Sequence, residues 1–235
     1  MAALRAKAPG GRERWERKNY AGRTVELYAG PAAALAVALG AGRVRPAAGA
    51  AVAVAGLCGG YDDLAGDHRR GFRAHLGALR GGEVTSGAVK LFGISAAGLV
   101  AGALMKERVA DKALAGVVIA GAAHFVNLVD VRPGRAAGAV VALGAPGMVR
   151  SELAAVAVGA AVAVLPDDLS ERVMIGDVGA HALGAALGVA AVAGSGRVGL
   201  LAHAAAVVAA AVCGDQVSRV SAAGRWGFSR SSPRP

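Results

Sequence analysis

An all-α, polytopic bundle of about eight transmembrane helices is the fold this chain predicts, and three observations carry it. Of 235 residues, 55% are hydrophobic but only 4% aromatic, and 36 are glycine. Such Ala, Val, Gly and Leu richness suits close packing between lipid-embedded helices. Charges are confined to short clusters between runs that are apolar on every side, whereas a helix of a soluble protein keeps a polar face. Finally, Lys and Arg fall unequally on alternate loops, the pattern that orients membrane proteins.

Residues 1–28 carry Arg5, Lys7, Arg12, Arg14, Arg17, Lys18 and Arg23. They read as a basic cytoplasmic segment next to the membrane, able to touch anionic lipid. Residues 29–213 form the membrane domain, with apolar runs at about 29–42, 47–61, 87–104, 113–127, 136–148, 153–165, 178–194 and 198–213. Several are shorter than the roughly 20 residues of a straight span. Residues 214–235 form a basic C-terminal tail.

With the N-terminus inside, the cytoplasmic parts hold 18 Lys and Arg and the opposite loops hold 7, while Lys90 sits just inside a helix. The expected location is therefore the plasma membrane, multi-pass, with the acidic stations facing the cytoplasm. The net charge of +10 lies at the chain ends and in loops, so topology explains it and nucleic acid is not an expected partner. Cys58 and Cys213 lie in apolar runs without a CxxC partner and read as small buried packing residues. No secretory signal is expected, because the first apolar run follows 28 mostly polar residues.

Three acidic stations end or begin apolar runs: Gly60-Tyr61-Asp62-Asp63, Asn127-Leu128-Val129-Asp130 and Gly176-Asp177. Adjacent aspartates repel, so a cation or cationic ligand is a natural reason for keeping them together; a solvated, helix-stopping turn is the plainer one. Three-residue spacing puts Asn127 and Asp130 on one face of a helix end. There they can hydrogen-bond a base or ribose, orient a metal-bound water, or simply stop the helix. Arg132 and Arg135 follow in a tight turn and can pair with phosphates. Asp177 sits near a helix N-terminus where glycines allow close backbone approach, and a cap is the commonest role for Asp at such a position.

Asp167-Asp168 follow Pro166 and read as a solvated loop. Lys90 opens a span after Thr85-Ser86-Gly87 and can reach back to a surface anion. In the preceding loop Arg69, Arg73 and Arg80 recur at helical spacing, with Phe72, Leu76 and Leu79 on another face. That pattern suits an interfacial helix binding lipid phosphate or a nucleotide diphosphate, or plain positive-inside charge. His124 and His181 read as hydrogen-bonded interior histidines. Gly194-Ser-Gly-Arg-Val-Gly199 fits a dinucleotide fingerprint but follows a helix, not a strand.

Taken in order, Arg23-Thr-Val-Glu-Leu-Tyr-Ala-Gly-Pro31, Gly60-Tyr-Asp-Asp63, Thr85-Ser-Gly-Ala-Val-Lys-Leu-Phe-Gly93, Asn127-Leu-Val-Asp130 and Gly176-Asp-Val-Gly-Ala-His-Ala-Leu-Gly184 resemble the polyprenyl-phosphate N-acetylhexosamine-1-phosphate transferase superfamily. The resemblance implies a Mg²⁺-dependent enzyme. Such an enzyme moves a sugar 1-phosphate from a UDP-sugar to undecaprenyl phosphate or a similar polyprenyl phosphate, releasing UMP for cell-envelope glycan synthesis. It implies Asp62 as general base or phosphate-positioning carboxylate, Asp63 beside metal and lipid phosphate, and Asp177 as Mg²⁺ ligand. Asn127 and Asp130 would line the nucleotide, Lys90, Arg132 and Arg135 would meet phosphates, and a homodimer is a further expectation. The chain departs from the family pattern at Gly66, where a lysine is usual, at Ile94, where a glutamine is, and at Val131-Arg-Pro-Gly134, which lacks the second carboxylate. Those departures motivate an alternative, a catalytically reduced relative that binds lipid phosphate or acts as a membrane scaffold.

Overall fold

A computed structural model describes residues 1–66 and 72–223. Its helices are α1 (Ala2–Lys7), α2 (Ala29–Val44), α3 (Pro46–Ala65), α4 (Phe72–Arg80), α5 (Ser86–Met105), α6 (Val109–Val129), α7 (Arg135–Gly144), α8 (Glu152–Leu169), α9 (Gly176–Gly194), α10 (Arg197–Val212) and α11 (Gly214–Ala223). The one sheet among the described residues is a hairpin of β1 (Glu16–Lys18) and β2 (Thr24–Glu26). Every apolar run read from the sequence is a helix, so the all-α expectation holds.

Three helices, α5, α6 and α9, are long and apolar enough to cross a membrane. A fourth span is added if α10 and α11, bent by 82° at their junction, count together. By length and composition these are candidate membrane spans, as the sequence leads one to expect. At 10 residues, α7 is about half the length of a straight span.

The bundle is built around α9. Its buried residues run round the helix, from Gly179 through His181, Leu183, Ala186 and Val189 to Val192, as expected of a helix with no polar face. Helices α2, α3, α6 and α8 pack against it. Against α6 the approach is backbone to backbone: a Cβ on Gly188 would stand 2.8 Å from the Ile119 Cα. On the outside, Leu35, Leu57, Leu99 and Leu104 remain exposed. In water such a belt would be anomalous, whereas lipid is its natural solvent.

Alternation of the helices brings the C-termini of α3 and α6 and the N-termini of α5 and α9 to one end of the bundle. At the other end Lys106 donates to the Ser195 carbonyl (2.8 Å) and Arg197 to Asp111 (2.9 Å). Helix α11 turns across the C-terminal end of α6, where the Ser218 and Ser221 hydroxyls donate to the carbonyls of Leu128 and Val129 at 2.9 and 2.8 Å. These are terminal carbonyls with no partner inside their own helix.

The basic N-terminal segment is folded: Asn19 Oδ1 accepts from the Ala21 and Arg23 amides, Gly22 takes φ +76°, and the resulting hairpin turns back on itself. β2 then leans on the α8–α9 connection, with Met174 N donating to the Glu26 carbonyl at 2.9 Å. Two expectations are corrected. First, α8 runs through Pro166 to Leu169, and Asp168 is 3% exposed, not solvated. Proline in the last turn gives up a single intrahelical bond, and the Gly134 amide donates to the buried carboxylate. Second, Cys213 is exposed and Cys58 only half-buried. Arg69 of the anticipated interfacial helix and residues 224–235 of the tail lie outside the described residues; α4 covers the rest of that helix.

Candidate functional site

Asp62 and Asp63 occupy the last turn of α3, and Asp177 the first turn of α9. Two glycines let these turns meet. A Cβ on Gly59 would stand 2.2 Å from the Asp177 carbonyl oxygen, a distance no side chain tolerates. Gly176 has φ +55°, and a Cβ there would stand 2.9 Å from Asp63 Oδ2. Asp63 consequently accepts hydrogen bonds from the Asp177 and Val178 amides, at 3.2 and 3.1 Å. A carboxylate bound to the free amides of a helix N-terminus is favourably placed on the helix dipole.

Lys90, five residues into α5, completes the cluster. Its ammonium lies 2.5 Å from Asp62 Oδ2 and hydrogen-bonds Asp177 Oδ2 as well. The start of α5 is fixed by Thr85, whose Oγ1 caps the Ala88 amide (3.1 Å) and is 2.9 Å from His75 Nδ1. Two carboxylates therefore share one ammonium, with the carboxylate of Asp63 beside them on the α9 amides. From above, Arg17 of the hairpin donates to the Asp63 carbonyl oxygen. Below, His181 is wholly buried and its Nδ1 donates to the Asp177 carbonyl at 2.8 Å. His124 stands edge-on to it at 5.6 Å. His181 is thus the hydrogen-bonded interior histidine its sequence setting suggests.

The remaining residues gather at the same end of the bundle but in a separate recess. Asp130 caps α6 and Asn127 is half-buried one turn before it. Asp130, Arg132, Tyr20, Asp168 and Glu171 line a small pocket of about 60 Å³. The Arg132 guanidinium lies 5.0 Å over the Tyr20 ring, a favourable cation–π arrangement. Removal from water, and then the charge of Asp168, push the Asp130 carboxyl well above the ordinary carboxylate range. Arg135 begins α7.

A larger feature joins the charged cluster to the outside of the bundle. Between α2 and α3 runs an apolar groove of about 570 Å³, lined by Pro31, Leu35, Leu57 and Leu64 among others. It ends at Asp63, Arg14 and Trp15. Leu35, Leu57 and Leu64 are 62, 73 and 62% exposed, so the groove opens sideways, on the outside of the bundle. Trp15 stacks on buried Tyr28 at 5.1 Å and closes the groove's polar end.

The structure thus unites Asp62, Asp63, Lys90 and Asp177 and sets Asn127, Asp130 and Arg132 a short way off. The pair converging on one point is Asp62 with Asp177, while Asp63 serves the α9 amides. Missing from the sequence reading were Arg14, Trp15 and Arg17, whose role depends on a hairpin with only three residues in each strand. Asp168 carried no local sign of its burial. The chain matches no family model, and no curated protein or solved structure is detectably similar to it.

Proposed function

We propose that this protein is a membrane transferase that joins a sugar 1-phosphate from a UDP-sugar to a polyprenyl phosphate, with all eight apolar helices embedded and the site facing the cytoplasm. The groove between α2 and α3 is the observation that carries this reading. It is apolar along most of its length, open on the outer side of the bundle, and reaches one carboxylate, Asp63, and one arginine, Arg14. A long-chain lipid with an anionic head fits it: the chain in the groove, the phosphate near Arg14 and Arg17. Burial of isoprenoid surface supplies affinity in proportion to area, and the guanidiniums orient the phosphate.

The cluster fits the implied divalent ion. Mg²⁺ is commonly held by one or two carboxylates together with substrate phosphates; Asp62 and Asp177 already converge on one cation. A bound Mg²⁺ would offset the diphosphate's charge and make UMP a better leaving group. The chain's own groups position the reactants. Asp62 orients the acceptor phosphate, and Asp63 holds the first turn of α9 in register with α3. Asn127, Asp130 and Arg132 receive the nucleotide side. In the reaction an oxygen of the lipid phosphate forms a bond to the sugar-bearing phosphorus, the diphosphate P–O bond breaks, and UMP departs with that electron pair.

Purified full-length protein in detergent should release UMP from a UDP-sugar only when undecaprenyl phosphate and Mg²⁺ are both present. UDP-GlcNAc, UDP-GalNAc and UDP-MurNAc-pentapeptide form the screen; no release from any of them by folded protein counts against the enzyme. One observation favours a second reading: Lys90 already engages both converging carboxylates, so the cluster holds together without a metal. On that reading the protein binds lipid phosphate as a scaffold, and undecaprenyl phosphate would bind with no turnover and no dependence on Mg²⁺.

A further inference from the structure

Lys90 is held unlike a surface lysine. Its side chain is 16% exposed, and those of its partners Asp62 and Asp177 are 22 and 25% exposed. The three groups come from three different helices, α3, α5 and α9. Two carboxylates brought this close repel one another, and a partly buried charge left without a partner is strongly destabilising. The fold therefore carries its own counter-ion, fixed to α5 by a side chain and anchored five residues earlier by the Thr85 cap.

The oxygens that the ammonium occupies are Oδ2 of Asp62 and Oδ2 of Asp177. A small divalent ion held by carboxylates needs oxygens at about 2.0–2.1 Å, so an ion set between these two oxygens would stand where the ammonium now is and would be repelled by it. We infer that Lys90 is a tethered cation occupying the metal's place at rest, and that divalent-ion loading is an exchange in which the ammonium leaves the two carboxylates. This rests on the reading of Asp62 and Asp177 as metal carboxylates. The released ammonium becomes available to the diphosphate of the incoming nucleotide. Metal and nucleotide then bind with positive coupling, because each relieves a charge imbalance that the other creates. The lysine also keeps the empty site from holding a divalent ion tightly.

The test scores Mn²⁺ binding without any substrate, by loss of the free-ion electron paramagnetic resonance signal. Full-length protein in detergent is compared with Lys90→Arg, Lys90→Met and Lys90→Gln. Removing a close charge from a partly buried pair changes binding by at least about tenfold in measured cases. Lys90→Met and Lys90→Gln should therefore bind Mn²⁺ at least about tenfold more tightly than wild type, and Lys90→Arg should bind like wild type. Their thermal unfolding should also fall without a divalent ion and recover with Mn²⁺, as a merely structural lysine would not allow. If Lys90→Met does not fold, Lys90→Gln retains hydrogen bonding to both carboxylates without the charge and carries the comparison. Equal or weaker Mn²⁺ binding by the uncharged variants overturns the exchange. The transferase reading fails on a different observation, the absence of UMP release by wild type, so the two outcomes are separable.

Discussion

Asp130 sits where a carboxylate strains the fold. Burial and the nearby charge of Asp168 hold its carboxyl well above the ordinary range, so the protonated form suits the folded state better. The associated stability is fully present below the carboxyl's unfolded value, about pH 4, and is lost as pH rises towards the folded value. Asp130→Asn removes that loss. Its unfolding midpoint should equal wild type near pH 4 and exceed it by a growing margin as pH rises, while UMP release falls. A midpoint below wild type at neutral pH would show that the carboxylate is paired and stabilising. Among the clustered aspartates, Asp62→Asn and Asp177→Asn should each abolish turnover without reducing expression. Asp167→Asn should be nearly silent, because Asp167 only meets Arg172 at the surface. The gathering of Asp62, Asp63, Lys90 and Asp177 at one end of the bundle was legible, since polar groups ending apolar runs are conspicuous. Asp168 was not, because only the return of the 130–134 turn onto α8 buries it.

The helices were legible almost to their ends, since each apolar run is bounded by charge, proline or glycine. The hairpin was not: three-residue strands leave little alternation to read, and their pairing depends on Asn19 and on the α8–α9 connection. The 3-10 turn just before the hairpin, Arg12–Trp15, walls the groove through Trp15, which contributes stacking on Tyr28 and a hydrogen bond from its indole to the Pro9 carbonyl. Trp15→Ala should raise the KM for the lipid acceptor several-fold and leave the KM for the UDP-sugar nearly unchanged; equal changes in both would place the tryptophan outside the acceptor's path. The meeting of α3 and α9 is less forgiving. Gly59→Ala puts a methyl within 2.2 Å of a backbone oxygen, so the helices must part. Overpacking of this kind costs about 1–3 kcal/mol. A lowered unfolding midpoint together with loss of turnover is expected, and an unchanged midpoint would mean the two turns do not touch.

The alternation of helix directions brings positions 63 and 177, more than a hundred residues apart in sequence, into hydrogen-bonding distance. Cysteines introduced beside Asp63 and beside Asp177 should therefore be labelled by an impermeant reagent from the same side of the membrane, in a background without Cys58 and Cys213. Labelling from opposite sides would dissolve the shared site and the transferase reading with it. The order in which helices surround α9 was not readable in the sequence, because eight similar Ala- and Val-rich runs carry no mark of their neighbours.

The sideways opening between α2 and α3 bears on kinetics. An acceptor entering there arrives by diffusion within the plane of the bilayer and never crosses bulk water. Its effective concentration is its mole fraction among the surrounding lipids, not its molarity in the tube. Diluting undecaprenyl phosphate with inert phospholipid, at constant total acceptor and protein, should slow the reaction in proportion, as for a reaction confined to a surface.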